Sequence, residues 1–282
     1  MNKLLTFLFI STLFITFSQE NKKNNLSTLN KHSNINLQEN HIINNEFISA
    51  WNIDQLNHIY IAEGSTITKY DSDGKVQFSQ SIKSLGEISS IDVLNPLKIC
   101  LFSKSQQKIC FTDNTLTPIN ECISLIKYDL GYISNICPSN RQNKIWMWDS
   151  NNSKILQIDN VNPNKTISVT SNLNGIIMLN DPIFLREINN HLYAIDTNNK
   201  LYLFDIFGSL IENEFNLKKG EIASSNKNQI WTIKKESIYI YKEEYDKIFL
   251  CKLPEIEPIS FEVNSNFFYI ESLKGIHIYN FK

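Results

Sequence analysis

Asn52, Asp92, Arg186 and Glu262 come nearest to a chemical site in this 282-residue chain. Each lies in an apolar, β-like segment, and the segments recur along the sequence, so the four side chains could converge on a shared channel. Two carboxylates, an amide and a guanidinium in one space could hold a divalent cation or hydrogen-bond a polar ligand. A hard cation takes about six or more oxygen ligands, several of them carboxylate. Only Asp92 and Glu262 are acidic, and Arg186 would stand against any cation they held. No metal ligand and no catalytic residue is therefore assigned. The four are candidates for lining a channel that binds a polar ligand; the plainer alternative is ordinary hydrogen bonding beside turns.

Other chemistry finds less to work with. Asp71, Asp113, Asp159 and Asp205 each end a strand-like segment, which could suggest a calcium ring. Each also opens a turn, as in the run DSDG at 71–74, where an aspartate bonds back to its own backbone. The five histidines are scattered, and no Cys-x-x-Cys has zinc spacing. There is no Gly-x-Ser-x-Gly nucleophile turn, and eight glycines form no phosphate-cradling loop. No cofactor is expected. Of the five cysteines, Cys100 and Cys110 fall on adjacent segments. Pairing those segments around Ser105 sets the two opposite each other, as a cross-strand disulfide or as two buried free thiols.

The elements that must position these residues are legible from a repeated phrase. It reads WNIDQLNHIY at 51–60, IDVLNPLKIC at 91–100, FLREINNHLY at 184–193, IASSNKNQIW at 222–231 and SFEVNSNFFY at 260–269. A looser copy ends in RQNKIW at 141–146. Each is an apolar strand, a polar turn and a second strand. The third position of the second strand is Tyr60, Cys100, Trp146, Tyr193, Trp231 and Tyr269, suited to fill the gap between stacked sheets. A third strand follows with both faces apolar, as a strand buried on two sides requires. A repeat of roughly 40 residues with four strands points to a β-propeller. Six blades are expected. The sixth runs out of chain after its third strand, so the segment around 34–40 is expected to complete it.

The chain opens with one lysine and an apolar run of about 14 residues, short of the ~20 that span a bilayer. Residues 1–18 are accordingly read as a signal peptide, 19–33 as a flexible lead-in and 34–282 as the propeller. A periplasmic or secreted address follows, with no membrane span in the mature chain. The net charge is -2 with both signs interspersed, and nucleic-acid binding, which needs a basic face, is not expected.

Residues 52–75 (NIDQLNHIYIAEGSTITKYDSDGK) carry a resemblance to six-bladed propellers of the NHL-repeat and TolB-like kind. The resemblance implies a fold that hosts enzymes, receptors and scaffolds alike. Some such propellers are lactonases or related hydrolases, with Glu, Asn and Asp of inner strands around a central metal. That ligand pattern is not recognisable here. The expected function is a non-catalytic, exported module that binds a protein partner in a cell envelope. The alternatives are a divergent metal-dependent lactonase or hydrolase, and a small-molecule or glycan receptor using the channel mouth.

Overall fold

A computed structural model of the chain describes residues 36–281, apart from 129, 162–165, 171–172, 174–181, 218–220, 227–228, 242–246 and 265–266. For 166–169 and 212–216 it describes the backbone alone. The expected signal peptide and lead-in lie outside the described residues.

Six four-stranded antiparallel sheets form six blades of a β-propeller. The inner strands are Ala50–Ile53, Ser90–Asn95, Ile133–Pro138, Pro182–Ile188, Glu221–Asn226 and Ser260–Asn264. Each touches the inner strand of the next blade, and the sixth touches the first, so the ring is closed. Five blades are continuous in sequence. The sixth takes its outer strand from the beginning of the propeller, where Leu37–Asn44 pairs antiparallel with Gly275–Phe281. The closing strand thus runs further toward blade 1 than the segment 34–40, and it carries a bulge between Glu39 and His41.

The core is a set of seams between blades. Tyr60, Ala62 and Ile67 of blade 1 pack with Ile91, Ile99 and Leu101 of blade 2. Ile59 and Ile61, pointing the other way from the same strand, pack with Tyr269, Ile276 and Ile278 of blade 6. Alternate residues of one strand therefore serve two seams, which is why both faces of each strand read as apolar. Burying an aliphatic side chain in such a seam is worth roughly 1.5–3 kcal/mol, so each blade depends on both neighbours. Hydrogen bonds tie the closing seam as well. Asn264 Nδ2 donates to the Asp54 carbonyl at 2.9 Å, and Trp51 Nε1 donates to Ser260 Oγ at 2.7 Å.

The strand-ending aspartates are turn formers. Oδ1 of Asp71, Asp113 and Asp205 accepts the backbone N–H groups two and four residues on, at 2.8–3.0 Å. Asp54 and Asp196 do the same. The residue three places on adopts a left-handed backbone in all five loops: Asn57, Gly74, Leu116, Asn199 and Gly208. Glycine and asparagine adopt that conformation readily; a leucine does so at a cost.

The cysteine pairing differs from the expected one. Cys110 is bonded to Cys122, and Cys100 is a buried free thiol, as are Cys137 and Cys251. The reason is register. The turn pairs Ser103 with Lys108, so Leu101 stands opposite Cys110 and Cys100 opposite Phe111. A slip of one residue from pairing around Ser105 puts the two cysteines on opposite faces of the sheet. On the other side of its strand, Lys108 pairs with Ser124 and Ile109 with Ile123, a register that carries Cys110 to Cys122.

Candidate functional site

One layer of the channel is built from a single position in each blade. The inner-strand residue opposite the third residue of the second strand is Asn52 in blade 1, Asp92 in blade 2 and Cys137 in blade 3. It is Arg186, Ser224 and Glu262 in blades 4 to 6. All four channel residues expected from the sequence therefore share one layer, and Ser224 and Cys137 complete it. Ser224 keeps the seven-residue interval of Arg186 and Glu262 and escapes notice as a small polar side chain, whereas Cys137 is hard to find by counting, because the interval between the paired positions varies. It is seven residues from Ser224 to Trp231 and nine from Cys137 to Trp146. The turn between the strands changes length, so the register becomes readable only once the turns have formed.

The layer is held by a charge network across the axis. Arg186 Nη1 lies 3.0 Å from Asp92 Oδ1, joining blade 4 to blade 2 across the intervening blade. The same nitrogen donates to the carbonyl of Leu185 at 3.1 Å. Ser224 Oγ donates to Glu262 Oε2 at 2.8 Å, and Asn52 Nδ2 donates to the Ile91 carbonyl at 2.7 Å. Asp92 is only 5% exposed, and its Oδ2 has no hydrogen-bond partner among the described residues.

Burial sets the electrostatics. It pushes the Asp92 carboxyl up, against the pull of Arg186. It pushes Glu262 up to about 7, against Arg186 and the Ser224 hydroxyl, with the nearby Asp92 charge adding to the rise. For Arg186, burial works against the charge, but the carboxylates of Asp92 and Glu262 outweigh it and the pKa rises. Burial also raises the Cys137 thiol, so this cysteine is a packed, protonated side chain at neutral pH.

Above this layer lies a cavity of about 560 Å³. Its lining stops at the layer in blade after blade: Trp51 but not Asn52, Ile91 but not Asp92, Ile136 but not Cys137. Arg186, Ser224 and Glu262 are the deepest lining residues of their inner strands. The cavity is a cup, floored by Arg186, Ser224 and Glu262 and lined higher up by the first residues of the inner strands. A divalent cation does not fit the donor set, since Arg186 already faces both carboxylates. No group of three or more His, Cys, Asp or Glu that could hold a metal occurs among the described residues. No helix among them is long and apolar enough to cross a membrane.

No protein-family model and no curated protein matches the sequence. Solved structures match the fold. A virginiamycin B lyase from Staphylococcus aureus is similar with a TM-score of 0.56 and 12% identity, over 87% of this chain and 99% of that one. BBS1N in complex with ARL6DN gives a TM-score of 0.55 and 11% identity, over 83% and 78%. PorZ, a surface component of the type-IX secretion system of Porphyromonas gingivalis, gives 0.51 and 7%, over 86% of this chain and 39% of that one. These likenesses establish a β-propeller that is found in enzymes and in protein-binding modules.

Proposed function

We propose that this chain is an exported, non-catalytic propeller that binds a protein partner in a cell envelope. The observation that carries the reading is the position of Arg186: it is paired with Asp92 and lies in the field of Glu262, where a catalytic cation would otherwise sit. Arg186 and Asp92 are engaged with each other rather than with a metal, and the rigid ring and its loops offer the surface for a partner. Two further observations support export. The leader has the charge and length of a signal peptide, and a Cys110–Cys122 disulfide suits an oxidising compartment. PorZ and BBS1N show the same fold at work in assemblies, the former at a bacterial surface.

The test is affinity capture of the tagged full-length protein from native envelope extract, with metal analysis of the purified chain beside it. A stoichiometric partner recovered from the envelope fraction, with Asp92→Asn and Glu262→Gln still capturing it, is the expected result. Stoichiometric calcium or zinc that both substitutions remove would replace this reading with the hydrolase.

A further inference from the structure

The cup itself is built to hold something smaller than a protein. Its floor carries both signs of charge. The Nε and Nη2 groups of Arg186 make no hydrogen bond among the described residues, whereas Nη1 is engaged by Asp92 and by the Leu185 carbonyl. Beside Arg186, Glu262 has one oxygen occupied by Ser224 and the other without a hydrogen bond among the described residues. The wall adds groups that can donate or accept, notably Ser90 and Asn135. Ser90 Oγ is buried with no partner in the described structure. Trp51 faces the same cavity with its N–H already given to Ser260 and Glu271, so what it offers a ligand is its ring.

Each ligand class meets this arrangement differently. An anion drawn to Arg186, or to Lys104 on the wall, would also meet Glu262 on the floor, with the Asp92 carboxylate in the layer beneath. A cation drawn to Glu262 would face Arg186. A purely apolar molecule would bury the guanidinium and the hydroxyls without partners, a costly arrangement. A neutral molecule bearing several hydroxyl groups pays neither penalty, because each hydroxyl donates to a carboxylate or accepts from an N–H as the wall demands. We propose that the cup binds a neutral polyhydroxylated ligand of mono- or disaccharide size, its hydroxyls on Arg186, Glu262 and Ser224 and its C–H face against Trp51. The cavity volume lies in the range of pockets that hold such compounds, roughly 300–1,000 Å³. This inference is independent of the protein-binding reading: either can fail while the other stands.

Calorimetric titration of the full-length protein tests it, with glucose, N-acetylglucosamine, maltose and myo-inositol as neutral probes. Glucuronate and glucosamine serve as the anionic and cationic counterparts. At least one neutral probe is expected to bind with a Kd of about 1 mM or tighter. The charged analogues are expected to bind at least tenfold more weakly than glucose, and Ser224→Ala to weaken the neutral probe about tenfold. Because changing Arg186 alone strands Asp92, the second variant is Asp92→Asn/Arg186→Gln, which is expected to fold and to lose the probe. Failure of all four neutral probes, preference for glucuronate or glucosamine, or unchanged binding in both folded variants would overturn the proposal.

Discussion

At the scale of the residue, the channel layer makes two predictions. Glu262 holds its proton more tightly folded than unfolded, with its pKa raised to about 7. Its contribution to stability must therefore fall as pH climbs from the ordinary carboxylate range through about 7, and then level off. Glu262→Gln removes that dependence. The stability difference between variant and parent is expected to grow in the variant's favour across this window, by ~1–2 kcal/mol once partial exposure is allowed for. Chemical denaturation at pH 4.5, 6 and 8 checks it; a constant difference would refute the assignment. Arg186→Met should cost about 2–4 kcal/mol, since it leaves the buried Asp92 carboxylate without its partner. Asp92→Asn/Arg186→Met should recover part of that loss, and a double-mutant cycle measures how much.

Elements explain which of these residues were legible beforehand. The apolar rhythm of each strand follows from burial on two sides, so the six blades could be read directly, and Asn52, Asp92, Arg186 and Glu262 could be assigned to inner strands. Register could not, because it depends on loop conformation. The loop 104–107 moved the pairing by one residue and exchanged the expected partner of Cys110. The longer turn of blade 3 likewise hid Cys137 from a fixed count, while Ser224 was passed over as a small polar residue. Asp113 was recognisable as a turn former, but nothing in composition marks Leu116 as left-handed and buried. That loop is held by Asp113, which accepts from Thr115 and Thr117. Asp113→Ala should lower stability by ~1 kcal/mol, seen as a shift in the urea midpoint. Replacing Cys110 and Cys122 together by alanine should cost more, about 2–3 kcal/mol for a loop of this size. Reduction of the parent protein should reproduce most of that loss.

For the whole molecule, closure is the decisive contact. Tyr279 OH donates to Glu39 Oε2 at 3.2 Å across the closing pair, and Ile43 fills the seam between blades 6 and 1. Deleting residues up to Asn44 should strip blade 6 of its outer strand and expose the edge of Gly275–Phe281. Aggregation or a markedly lower melting temperature is expected by light scattering and calorimetry; a truncated protein as soluble and heat-resistant as the parent would refute it. The same contact governs time as well as strength. Leu37 stands opposite Phe281, so the closing strand has no partner until about 240 further residues have been added. At roughly 5–20 residues per second, that wait is on the order of ten seconds or more. The Cys110–Cys122 bond needs only a stretch separated by 12 residues and can form long before. Until Gly275–Phe281 arrives, the ring lacks the pairing that completes blade 6, and closure waits on two distant stretches of chain.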